Sequence, residues 1–233
     1  MLSSQSLLRS YSSLPISSQR QMSVMWTGLM GAATAISGVL VYANLPTKWT
    51  LGDVVPTVPQ LQASKVIKID NEATIDLGKT ISGTEFLKKP SMVMAVRRPG
   101  CILCRREAAH LSELKPLLDK AGVRLVAVSH QPKGVDEFKN YFKGDVYLDT
   151  ERTFYGPNER WIPSWMGMLR PKLWTSVAAS RKEGLDGNLE GEGRLLGGVF
   201  FVDGNEMVWA HLEKEWGDAA DVGEAKAAIE KYM

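Results

Sequence analysis

Cysteine is scarce in this chain: Cys101 and Cys104 are the only two among 233 residues. So few exclude a disulfide scaffold. They also supply only half of a closed structural zinc site, which takes four ligands. Histidine is scarce too. His110, His130 and His211 stand at no recognised ligand spacing from the cysteines, so no metal is expected. Net charge is +2, too small to ask for nucleic acid as a partner. No acidic residue occurs from Met1 to Ser23, no charge of either sign from Gln21 to Thr47, and no internal repeat is visible. What remains is 44% apolar, enough for one sizeable domain plus an extra segment.

The two cysteines are two residues apart, in Cys101-Ile102-Leu103-Cys104. The apolar run Met92 to Val96 leads into them through Arg97-Arg98-Pro99-Gly100, and a helical stretch from Arg105 to Lys120 follows. A dithiol at a strand-to-helix junction suits redox chemistry. The first helical turn has unpaired N–H groups and partial positive charge, and both favour a thiolate, the nucleophilic form of cysteine. Cys101, nearest the helix start and nearest solvent, is the expected attacking sulfur, and Cys104 the resolving one. Arg97, Arg98 and Arg105 are candidate thiolate-stabilising or substrate-binding groups, while Pro99 fixes the turn and Gly100 permits close backbone approach to the sulfur. Arg105 and Arg106 read equally well as a solvated helix face. The blander alternative for the pair is two buried structural thiols.

Four segments are expected. Residues 1–23 form a Ser- and Arg-rich N-terminal segment. Residues 24–45 form an apolar helix, either a membrane anchor, part of an organellar presequence, or a surface-lying helix. Residues 46–64, with Pro46, Pro56 and Pro59, read as a linker, and 65–233 as the redox domain. Arg9 and Arg20 would keep the N-terminus of a spanning helix on the cytosolic or matrix side.

Within the domain, Val66–Ile69 and Ala73–Leu77 are expected as short strands, and Ser82 as the cap of a short helix ended by Pro90. Met92–Val96 and Arg124–Val128 read as buried central strands and Val146–Asp149 as a third. Leu103, Leu111, Leu114 and Leu118 make one helical stripe, with a kink at Pro116 and an end at Gly122. Asp136–Phe142 is expected as a short helix. Asn158–Leu185 has tryptophan and methionine but no strand pattern, so it is expected as added core or as a lid. Val199–Val202 and Met207–Ala210 form a hairpin, and Ala219–Tyr232 a closing helix. The glycines from Gly191 to Gly198 precede a strand, so they fit close packing near the dithiol and not a phosphate cradle. The whole predicts an α/β class: a mixed sheet flanked by helices in a thioredoxin-like fold.

The run from Met94 through Arg97-Arg98-Pro99-Gly100-Cys101-Ile102-Leu103-Cys104-Arg105 resembles the peroxiredoxin-like 2 family of the thioredoxin-fold superfamily, its 2A branch most closely. Phe142-Lys143-Gly144, Leu148-Asp149, Phe154-Tyr155-Gly156-Pro157, Gly187 to Gly193, Gly197-Gly198-Val199-Phe200 and Glu213 to Asp218 agree with it. The resemblance implies an antioxidant oxidoreductase with a redox-active Cys101–Cys104 disulfide and no bound cofactor. Its reductant would be external: a thioredoxin/NADPH system or glutathione. Its substrate would be a peroxide, a disulfide or, as in a prostaglandin F synthase relative, a lipid endoperoxide. The setting implied is cytoplasmic or mitochondrial, with membrane association through 24–45. A tethered redox sensor without turnover is the alternative from another class. Typical peroxiredoxins carry Thr or Ser where this chain has Arg98, and Pro where it has Met94. Thioredoxins place a cis-proline where it has Leu195 to Gly198. The peroxide-activating cradle of those relatives is therefore not expected.

Overall fold

The computed structural model describes residues 16–73, 75–76 and 79–233. Most of the Ser- and Arg-rich N-terminal segment lies outside the described residues, as do Thr74 and Leu77 of the strand expected at Ala73–Leu77; its described residues, Ala73, Ile75 and Asp76, are in no strand. The chain divides into two compact units, Met1–Leu45 and Pro46–Met233. The first contains α1, Ile16–Ala43, the apolar N-terminal helix that the sequence predicts.

The second unit is built on a seven-stranded mixed sheet in the order β2-β1-β5-β4-β3-β6-β7. Its strands are β1 Lys65–Lys68, β2 Thr80–Ser82, β3 Ser91–Val96, β4 Arg124–Ser129, β5 Asp145–Leu148, β6 Gly198–Asp203 and β7 Glu206–Leu212. β3 runs parallel to β4, and β4 to β5; β6 pairs antiparallel with β3 on one side and β7 on the other. Every residue of β3 is buried, as its unbroken apolar run requires of a strand covered on both faces.

Alternate side chains of the central strands serve opposite faces. Met92, Met94, Leu125, Ala127, Val199 and Phe201 join one core cluster. Val93, Ala95, Val126, Val128, Phe200 and Val202 join the other. The first cluster includes the stripe of α2, Ile102–Glu113, and α3, Lys115–Lys120, and is closed by α5, Val222–Tyr232. The second takes in Val58, Leu61, Phe86, Phe154 and Tyr155. The result is a mixed sheet flanked by helices, the thioredoxin-like fold expected.

The helical stripe divides where the sequence predicts a kink. Leu114 closes α2, and Pro116 sits in the first turn of α3, where its missing N–H costs nothing. Gly122 ends α3 with φ +71°, while its N–H reaches Asp119 O and that of Val123 reaches Leu118 O. This is a Schellman cap. Ser82 caps the one-turn helix Gly83–Phe86 by accepting from the Glu85 N–H.

Three expectations need correction. Residues 46–64 do not form a free linker: Val58 and Leu61 on the short helix Val58–Gln62 are buried, and Thr47 Oγ1 donates to Lys214 O at 2.6 Å. The strand partner of β1 is Thr80–Ser82, beyond the expected Ala73–Leu77. Asn158–Leu185 contains α4, Pro171–Lys182, which packs against α2. That helix was not expected, because its inward face carries Ser176 and Ser180 in place of a leucine stripe.

Candidate active site

β3 delivers Arg97, and the following turn delivers Cys101 to the N-cap of α2. Cys101 N–H closes that turn on Arg98 O at 3.0 Å. Cys104 lies three residues into the helix, on the same face as Cys101. Both thiols are free and buried, Cys101 only 5% exposed. It is reached through a cavity of about 770 Å³ that Cys101 lines together with Arg97, Arg98, Leu173, Trp174 and Trp216. Of the two, only Cys101 lines this cavity, which keeps it the sulfur nearer solvent despite its burial.

Arg97 is the organising cation. Its Nη2 donates to Cys101 Sγ at 3.2 Å, its Nε to Glu213 Oε1 at 3.0 Å, and its Nη1 to Gly193 O at 2.9 Å. The guanidinium also lies over the Trp216 ring, 5.5 Å from its centroid. Glu213 is held in turn by the Gly197 N–H, which donates to Oε2. Burial pushes the Glu213 carboxyl up, and Arg97 opposes that shift.

The two sulfurs diverge in proton affinity. A hydrogen bond from Cys104 holds Cys101 well below the ordinary thiol range; burial works against this, and the charges of Arg97 and Arg98 add to it. The same hydrogen bond, together with burial, pushes Cys104 well up. A paired thiolate and thiol at a helix start can do nucleophilic sulfur chemistry at neutral pH.

The other predicted residues separate into two groups. Arg98 lines the cavity and donates to Leu189 O at 3.2 Å. Pro99 and Gly100 shape the turn, but the close approach at Gly100 is with Asn188: a Cβ would collide with Asn188 Oδ1, and Asn188 N–H donates to Gly100 O at 2.7 Å. Arg105 is not at the sulfur. It is buried, donates from Nε to Pro99 O at 3.2 Å and from Nη1 to Asp186 Oδ1 at 2.8 Å, and so braces the turn from behind. Arg106 pairs with Glu183. The glycines before β6 pack as expected: a Cβ on Gly197 would strike Ala95 O, and one on Gly193 would meet Arg98.

The tryptophans divide as well. Trp174 and Trp216 line the cavity with Met168, whereas Trp161 bridges Leu195 and donates to Glu159. Sequence reasoning missed Glu213, Asn188 and Trp216 as parts of the site. Only chain pairing brings them there.

Residues 110–215 match the family model described as AhpC/TSA antioxidant enzyme, a span that begins beyond both cysteines. Peroxiredoxin-like 2A of Homo sapiens is 40% identical over 204 residues, 85% of this chain and 86% of that protein. Peroxiredoxin-like 2A of Danio rerio is 36% identical over 221 residues, 90% of this chain and 98% of that protein. Among solved structures, a peroxiredoxin-like protein from Aquifex aeolicus aligns at TM-score 0.48 and 15% identity, covering 78% of this chain and 91% of that one.

Proposed function

This chain belongs to the peroxiredoxin-like 2 family, with the peroxiredoxin-like 2A proteins as its relatives, and we propose that its Cys101–Cys104 dithiol reduces peroxides or disulfides as a thiol-based antioxidant oxidoreductase. The Cys101 thiolate attacks one peroxide oxygen, and the O–O bond breaks. The departing alkoxide takes up a proton to leave as an alcohol, and Cys101 is left as a sulfenic acid. Cys104 then attacks Cys101 Sγ. A disulfide forms, and the sulfenic oxygen leaves as water. On a disulfide substrate the first product is a mixed disulfide, resolved in the same way. Either route takes two electrons from the protein, which an external donor of the thioredoxin class, or glutathione, returns.

One observation carries this reading: the 3.2 Å contact from Arg97 Nη2 to Cys101 Sγ at the start of α2. Reduction assays with hydrogen peroxide and with a small disulfide, comparing wild type with Cys101→Ser, test it. Loss of turnover in the variant is expected, and equal rates would end it. Cys104→Ser should instead trap the mixed disulfide.

The cavity favours a second reading of the substrate. Its wall of Leu173, Trp174, Val177 and Met168, with Arg98 beside the sulfur, fits an apolar chain bearing an acidic group, as in a lipid endoperoxide. Turnover of such an endoperoxide with an NADPH-driven thioredoxin system would support it, and none would remove it. The apolar α1 extends the proposal to location, holding the protein at a membrane.

A further inference from the structure

Cys104 must lose its proton before it can attack, yet it is 4% exposed and its thiol is pushed well above the ordinary range. A buried thiol that ionises needs an acceptor close by. Glu107 lies three residues further along α2, so the two side chains share one helix face. A cavity of about 10 Å³ is lined by both, along with Glu213 and Asp218. That is room for a single water.

The carboxyl of Glu107 is anchored through one oxygen. Ala220 N–H donates to Oε1 at 2.9 Å, and among the described residues nothing donates to Oε2. Glu213, across the cavity, has both oxygens engaged by Arg97 and Gly197. Burial, reinforced by the charges of Glu213 and Asp218 and opposed by His211, raises Glu107 to about 7. Of the other charged or polar neighbours, Ser176 of α4 is neutral, Arg106 lines the cavity with its guanidinium paired to Glu183, and Lys214 acts on His211.

We propose that Glu107 is the proton acceptor for the resolving thiol, a role that rests on the dithiol reading above. In the resolving step the Cys104 S–H proton passes to Glu107 Oε2, through one bridging water. The sulfur's electron pair forms the Cys104–Cys101 bond, and the bond from Cys101 to the substrate sulfur breaks. The substrate thiolate leaves with that electron pair, so the two protein thiols are oxidised and the substrate disulfide is reduced to two thiols. Half-buried Glu107 then returns its proton to solvent.

The full-length chain, reacted with the chromogenic disulfide of thionitrobenzoate, reports both steps separately. The first coloured equivalent released marks attack by Cys101, and the second marks resolution by Cys104. In Glu107→Gln the first release is unchanged, while the second slows roughly hundredfold or more at neutral pH. Its pH profile should also lack the inflection near 7 expected of the wild type. Glu107→Asp recovers part of the rate. A second release in Glu107→Gln with wild-type rate and pH profile would overturn the proposal. So would equal slowing of both releases, which would assign Glu107 a structural part. If the wild type gave only one equivalent, the dithiol reading itself would fail and take this inference with it.

Discussion

Arg97 presents three guanidinium nitrogens to three acceptors: a sulfur, a carboxylate and a backbone carbonyl. A planar fork can satisfy all three at once, whereas an ammonium group cannot hold that geometry. Replacing Arg97 with Met removes the cation beside Cys101 and leaves Glu213 buried without its partner. The midpoint of the pH–rate profile for Cys101 alkylation should rise, and the rate at neutral pH should fall roughly tenfold, the effect of about one pKa unit. Unfolding free energy should fall by about 3–5 kcal/mol in urea titrations, since one member of a buried pair is orphaned. Arg97→Lys should restore part of the rate and little of the stability. The sign with pH follows from the depressed Cys101 value. Its contribution to stability is complete above the ordinary thiol pKa of about 8.5 and fades as pH falls through the folded value. Acidification should therefore destabilise the reduced wild type more steeply than the Met variant over that window.

At the scale of elements, the site is one strand end meeting one helix start, held by a hairpin on its far side. The strand and helix are legible in the sequence because each carries a strong local signal. These are an apolar run for β3, a leucine stripe for α2, and Pro116 and Gly122 to divide and stop the helix. The hairpin is legible as well, but its consequence is not. Ala95 pairs with Gly198, and Gly198 with Leu212, so two registers carry Glu213 to the end of β3, where Arg97 begins. No spacing in the sequence announces a contact between residues so far apart. α4 escaped for another reason: Ser180 Oγ donates to Ser176 O, and Ser176 Oγ to Gly217 O, so its inner face is small and polar. The Pro46–Ser64 segment did carry a readable mark, because Gln60 Oε1 accepts from Thr57 N–H in a capping arrangement. Proline spacing outweighed it. Two glycines separate the effect of hairpin register from that of local backbone strain. Gly197→Ala would push its Cβ into Ala95 O, parting β3 from β6. A loss of about 1–3 kcal/mol is expected, together with slower Cys101 alkylation. Gly122→Ala, at a positive φ with open space around it, should cost about 1 kcal/mol and leave alkylation unchanged. Equal alkylation rates in both variants would show that the hairpin register does not set the site.

At the scale of the whole molecule, the redox domain is joined to a helix of very different character. From Ser23 to Ala43 the chain offers 21 helical residues without a charge, and every side chain from Ser23 to Tyr42 is exposed. Val24, Met30 and Val41 are each more than three-fifths exposed, a state that water penalises and hydrocarbon does not. At about 1.5 Å per residue such a helix matches the roughly 30 Å apolar layer of a bilayer. Large apolar side chains cover most of its circumference and Thr27, Gly31, Thr34 and Gly38 line the remainder, so no face is charged, unlike the strongly charged polar face of an interfacial helix. The full-length protein should therefore float with phosphatidylcholine vesicles and stay with them through an alkaline carbonate wash. Ile36→Arg places a charge near the middle of the run, at a cost of about 2.5–3.5 kcal/mol in the apolar layer, and should return much of the protein to the soluble fraction. Cys101 alkylation should be the same in both, because the dithiol chemistry draws only on residues beyond Pro46. A wild type that stays soluble would remove the anchor, and a mature N-terminus found beyond Ala43 would assign the segment to a leader that is cut away.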